Sequence, residues 1–220
     1  IQLQAIYMTF STAISGVFLP KVTAMVAKGS SEREVSDLFI RTGRIQYIVM
    51  AFILTGFILF GRDFVRLWAG NDYEEAYSIA LLFFVPLTVP LIQNLGITIL
   101  QARNQMKFRS LLYIIVALLS LGFSFPLAKK YGGIGCAWST ALALVLGHIV
   151  VMNIYYCKVI HIEIVRFWKE IGKMSWVPLL CGGVTAYVLT FFELNTIWRL
   201  VTAIIMFSAI YLPLFWFGSM

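Results

Sequence analysis

Apolar residues run through this chain in long blocks separated by short polar intervals. Seven blocks approach the roughly 17–25 residues that a bilayer-spanning helix needs. They lie near residues 3–26, 43–60, 76–102, 108–127, 134–157, 174–192 and 196–218. None alternates with a period of two, so an outer-membrane barrel is not indicated. The pattern predicts an all-α integral membrane protein with about seven transmembrane helices, forming a single helical lobe over residues 1–220. Ile1 already lies inside an apolar block, so the chain reads as a piece of a longer protein.

Two connectors carry helical patterns of their own. In "SEREVSDLFIR", Ser31 precedes Glu34 by three residues, the spacing of a capping box, and Val35, Leu38, Phe39 and Thr42 share a face. The second membrane helix is therefore expected to begin inside this connector. In "HIEIVRFWKEIGK", Ile164, Val165, Trp168 and Ile171 fall on one side, with Glu163, Arg166, Glu170 and Lys173 on the other. That predicts an amphipathic helix lying in the headgroup region, as a connector or as a partner-binding element. The fifth block places Gly135, Ser139, Ala143 and Gly147 four residues apart, a ridge of small side chains. It serves as a packing seam within the bundle, a homodimer seam or a sliding surface.

Composition agrees with the pattern. Hydrophobic residues make up 60% of the chain and charged residues 12%. A soluble domain carries about 25% charged residues. The net charge is +7. In a soluble protein such a charge would raise nucleic-acid binding; here it has another source, the positive-inside bias of membrane loops. The loops 28–44, 103–109 and 158–173 would share one side and hold eleven Lys and Arg, against five in 61–75, 128–133 and 193–199. The first set is expected in the cytoplasm, which puts the N-terminal end outside and Met220 inside. Cys136, Cys157 and Cys181 have no metal-ligand or disulfide spacing and read as packing thiols.

No Gly-rich phosphate loop, HExxH motif or carboxylate pair within a block is present, so neither a cofactor nor an enzymatic activity is expected. The candidate chemistry lies in polar side chains inside the apolar blocks. In "PLIQNLGITILQARNQ", Asn94, Thr98 and Gln101 follow at i, i+4 and i+7, with Gln93 beside them. Such amides either hold helices together or line a cavity that binds hydroxyl-rich groups. Pro86 and Pro90 open the same block and can bend it. His148 and Asn153 add polarity to the fifth block, His148 as a hydrogen-bonded core residue or a proton carrier. Pro20 and Lys21 interrupt the first block. Lys21 precedes Lys28 by seven residues, so roughly 10 Å of helix separates it from the polar edge. It either snorkels to that edge or, with Pro20 bending the helix, faces a cavity and holds an anion.

Four stretches together resemble one family. "FLPKVTAM" is similar to the helix end "P-x-[IV]-[ST]" of polysaccharide flippases, and "FGRDFVRLWAGNDYEEA" to their outer loop. "NLGITILQARNQMKFRS" looks like their third-span exit, and "KKYGGIGCAWSTALA" like the helix start "YG-x-x-G-A-A-x-[AS]-T", with Cys136 where Ala is usual. In this order they resemble the bacterial polysaccharide transport and O-antigen flippase group of the multidrug/oligosaccharidyl-lipid/polysaccharide exporter superfamily. The resemblance covers most of residues 15–157. It implies that the chain is most of the second lobe of a two-lobed exporter in the bacterial inner membrane, completed by an N-terminal lobe. It implies alternating access, with an undecaprenyl-diphosphate-linked oligosaccharide as cargo. It also implies a cationic lumen, to which Lys21 and Arg103, at the cytoplasmic mouth, would contribute. Partners would be the lipid-linked oligosaccharide and membrane lipids, not nucleic acid. If export is coupled to protons or sodium, the carboxylate lies outside these residues. The competing readings are a multidrug and toxin efflux pump, which an intramembrane acid would favour, and a membrane-bound enzyme of surface-polymer assembly, which a large external loop would favour.

Overall fold

The computed structural model describes residues 2–191 and 196–218 and is helical throughout, with no strand among them. Helix α1 spans Gln2–Ala27 and contains Pro20. After a turn at Gly29, whose φ of 67° suits a residue without a Cβ, α2 runs from Glu32 to Ala69. The predicted capping box is formed: Ser31 Oγ accepts from the Glu34 amide, and Glu34 Oε2 accepts from the Ser31 amide at 3.1 Å. The 38 residues of α2 span about 57 Å, far longer than the roughly 30 Å hydrocarbon core, so the helix extends beyond it. Their apolar face is used there, since Val35, Leu38, Phe39 and Thr42 are all buried.

A short 3-10 turn at Asn71–Tyr73 leads into α3, Glu74–Ile92, and α4, Leu95–Ala102. Helix α5, Lys107–Leu144, passes into a wider π-helical stretch at Val145–Val151 and then α6, Met152–Lys158. The chain closes with α7 (Ile164–Met174), α8 (Trp176–Leu189) and α9 (Ile197–Gly218).

Five helices among the described residues are long and apolar enough to cross a membrane: Leu3–Ala27, Glu32–Ala69, Glu75–Ile92, Lys107–Lys158 and Ile197–Phe215. The sequence pattern predicted seven, and the count differs from it at two places. The blocks 108–127 and 134–157 fall in one stretch, Lys107–Lys158, that is two helices joined at a sharp turn, within the interval 128–133 left between the blocks. That run reverses at Gly132, which has φ 60° and ψ −138°. Beyond it, Ser139 Oγ donates to Ser120 O at 2.5 Å and Thr140 Oγ1 lies 3.0 Å from Ser120 Oγ, contacts a straight helix cannot make. The block 174–192 forms α8 with only 14 residues, about 21 Å, short of the roughly 30 Å hydrocarbon core. Residues 192–195, which hold part of the outer turn expected at 193–199, and Met220 lie outside the described residues.

The small-residue ridge packs within the bundle, against the preceding half of α5. A Cβ on Gly135 would collide with the Leu127 carbonyl, and one on Gly147 with Val116. The core has two parts. The larger joins α1–α7 around Phe39, Met50, Leu95, Ile99 and Phe167. The smaller seats α8 and α9 on the later turns of α2 through Phe60, Cys181, Phe207, Tyr211 and Phe215. Helix α7 lies along the protein rather than presenting the predicted face to lipid. Ile164, Phe167, Ile171 and Met174 are buried, whereas Val165 is 77% exposed. Phe167, 0% exposed, sets this orientation by filling the gap beside Phe39, with ring centroids 5.1 Å apart.

Candidate functional site

Helix α1 carries polar side chains at four-residue intervals, Tyr7, Ser11 and Ser15, and α2 answers with Thr42 and Gln46. These positions lie on the packed faces, so the two helices meet α3 along a buried polar seam. Gln46 Nε2 donates to Ser15 Oγ at 2.6 Å and to Ser11 O at 3.2 Å. Ser11 Oγ donates to Leu91 O at 2.6 Å, at the end of α3. Tyr7 OH shares a 2.8 Å hydrogen bond with Thr88 Oγ1, which donates to Phe84 O. The seam is not fully satisfied: Gln46 Oε1 and Thr42 Oγ1 are buried without a partner among the described residues.

The seam runs into the break between α3 and α4. Pro86 and Pro90 each remove an amide donor from α3, and the helix gives way just after them, at Gln93 (φ −102°, ψ 13°). Gln93 and Asn94, 2% and 7% exposed, form the break, and Thr98, 6% exposed, follows one turn later. Gln93 Nε2 donates to Asn153 Oδ1 at 2.9 Å, and the same oxygen accepts from Trp168 Nε1 of α7 at 3.0 Å. Gln93 Oε1 has no partner among the described residues. The break between α3 and α4 is thus linked through Asn153 to α7.

The other predicted residues are not drawn into this cluster. Gln101 is exposed, one turn beyond Thr98. Arg103 donates to Ile160 O at 3.2 Å and pairs with Glu32 at 2.8 Å, fastening α4, α2 and the α6–α7 connector at one end of the bundle. Pro20 and Lys21 sit on the exposed side of α1. His148 is 6% exposed in the π-helical stretch, its ring 4.8 Å from that of Tyr113.

Sequence reading weighed amides block by block and so passed over Ser11, Ser15 and Gln46, and placed Thr42 only on the packed face of α2. The signal was present as matched four-residue spacings on two neighbouring helices. It also counted Arg109 among loop cations, whereas Arg109 is the third residue of α5 and is 8% exposed.

The end of the bundle that carries α7 is fastened by ion pairs. Arg166 meets Asp37 at 2.6 Å and Glu163 at 3.0 Å, and Glu170 takes Lys173 at 2.8 Å with Arg44 at 3.9 Å. The hydrogen bond from Lys173 comes first among the causes that hold the Glu170 carboxyl below its ordinary range. Hydrogen bonds to Glu163 and Asp37 raise Arg166 still further.

Long apolar helices around a buried polar seam define an α-helical membrane protein with several spans. No protein-family model, curated protein or solved structure matches the chain.

Proposed function

We propose that this chain is one lobe of a flippase that carries a lipid-linked oligosaccharide across the bacterial plasma membrane by alternating access. The observation that carries the reading is the outer face of α1. One side of α1 is packed through Tyr7, Ser11, Ser15 and Val22. On the opposite side, Thr9, Thr12, Gly16, Pro20 and Thr23 form an exposed strip of small side chains, with Lys21 at its edge and the apolar Ile6, Val17 and Leu19 exposed beside it. The exposed face of α5, by contrast, holds Leu111, Ile114, Leu118 and Leu121, as lipid contact requires. A helix with polar residues on both sides suits a wall between a packed seam and a wet lumen.

The break at Gln93–Asn94, behind Pro86 and Pro90, supplies a place where such a wall can flex. In this reading Gln93, Asn94, Thr98 and Gln101 meet the sugar hydroxyls as the break opens, and Lys21 faces the diphosphate. Arg103 is committed to Glu32 in the present arrangement, so its contribution would require that ion pair to part. The efflux-pump reading gains no comparable observation, because the buried seam holds hydroxyls and amides but no acid to attract a cationic drug.

The test is genetic. Deleting the full-length gene should abolish surface glycan and leave lipid-linked oligosaccharide in the inner leaflet, with wild type restoring export. Combined Asn94→Leu and Gln101→Leu should insert normally but restore export poorly. Normal glycan in the deletion strain would contradict the assignment.

A further inference from the structure

Asn153 holds more than its own helix. Its Nδ2 donates to Ile149 O at 2.6 Å, one turn back in the π-helical stretch. With Nδ2 committed to a carbonyl, the amide presents Oδ1 to its other neighbours. That oxygen accepts from two elements at once: from Gln93 Nε2 at the α3–α4 break, at 2.9 Å, and from Trp168 Nε1 of α7, at 3.0 Å.

Helix α2 brings the same two elements together a second time. Phe167 of α7 and the Ile92 carbonyl, at the end of α3, both close on Gly43. A Cβ there would collide with the Phe167 ring and lie 3.0 Å from Ile92 O. The break and α7 therefore share one packing point and one hydrogen-bond acceptor.

The break is the weaker side of this arrangement. Pro86 and Pro90 deprive α3 of two amide donors just before it. Gln93 is 2% exposed, and its Oε1 has no partner among the described residues, which is costly for a buried acceptor. Its side chain is held by a single hydrogen bond, through Nε2. Oε1 gains a partner only when the break admits one.

We propose that Asn153 is a latch that makes the α3–α4 break and α7 one switching unit. While Gln93 and Trp168 share Oδ1, the break is shut and α7 is docked. When Gln93 leaves, Oδ1 loses one of the two donors that fix it and Ile92 withdraws from the point where Phe167 is seated, so α7 loosens. Displacing α7 acts back on the break by the same route, because coupling between two sites is reciprocal. The latch goes beyond the transport reading, and it is measured without cargo.

The experiment follows hydrogen exchange of α4 and α7 amides by mass spectrometry in the purified full-length protein in maltoside detergent. Gln93→Met keeps the volume and removes the donor. It should speed exchange in α7 about threefold, the factor that ~0.6 kcal/mol for an average interhelical hydrogen bond in a membrane protein implies. Trp168→Phe keeps an aromatic ring and removes Nε1, and it should speed exchange in α4 by a similar factor. Asn153→Leu should loosen both. Thr98→Val is the control, because Thr98 is buried in α4 and has no hydrogen bond to α6 or α7 among the described residues; it should leave α7 unchanged. If Gln93→Met alters only α4 and Trp168→Phe only α7, the two bonds are independent and the latch is refuted. Loosening of α7 by Thr98→Val as large as that by Gln93→Met would refute it as well, since general slackening of α4 would then suffice. Should Asn153→Leu not fold, the reciprocal pair Gln93→Met and Trp168→Phe decides the matter alone.

Discussion

Gln46 shows what a single polar side chain can do in this bundle. Its Nε2 reaches two α1 serines, while its Oε1 and the neighbouring Thr42 Oγ1 find no partner among the described residues. The two residues should therefore respond differently to removal. Thr42→Val deletes an unpaired hydroxyl at nearly constant volume, and thermal unfolding of the purified protein should be unchanged or slightly raised. Gln46→Leu strips Ser15 of its donor and should lower stability by about 1 kcal/mol, in the range of interhelical hydrogen bonds in membranes. Larger loss from Thr42→Val than from Gln46→Leu would contradict the geometry. At this scale Gln93, Asn94 and Thr98 were legible as buried polar residues, because amides and hydroxyls in an apolar block must find partners. Their partners were not. Asn153 lies 60 residues from Gln93 and Ser11 lies 80 from Leu91, and no local pattern encodes such contacts.

At the scale of elements, local chemistry was read best. The Ser31–Glu34 cap and the start of α2 depend on neighbours three residues apart, and both are present. Element lengths were read less well. Hydropathy measures composition, not where a helix ends: it left a gap at 128–133, where Gly132 turns the chain back, but could not see that α8 stops after 14 residues. The orientation of α7 was missed because Val165 and Phe167 are both apolar, and only the gap beside Phe39 chooses between them. The attachment of α7 predicts a pH response. The Glu170 carboxyl is held below its ordinary range first by Lys173, so its stabilising contribution is present at neutral pH and is lost as the pH falls through its folded-state value. Hydrogen exchange should show weaker protection of α7 amides under acid than at neutrality. In Glu170→Gln the acid-induced change should be smaller, and an identical change in both proteins would remove Glu170 from the account. The exposure of the ion pairs keeps this effect modest.

At the scale of the molecule, the bundle has two unlike exteriors. The α5 hairpin and α9 present large aliphatic side chains, whereas α1 presents a strip of threonine, glycine and proline among exposed Ile6, Val17 and Leu19. The membrane class followed from composition and block length alone, since so apolar a chain cannot hide its surface in water. The exposed strip of small residues on α1 was not legible, because α1 is apolar on average and only the packing reveals which side is covered. The functional proposal rests on that face meeting water. The direct measurement is cysteine accessibility in the full-length protein in intact membranes, after Cys136, Cys157 and Cys181 are replaced by serine. Thr12→Cys and Gly16→Cys should react with a hydrophilic thiol reagent, while Leu118→Cys on α5 and Ser11→Cys in the seam should not. If Thr12→Cys and Gly16→Cys are as inert as Leu118→Cys, the outer face of α1 lies in lipid and the lumen assigned to it does not exist.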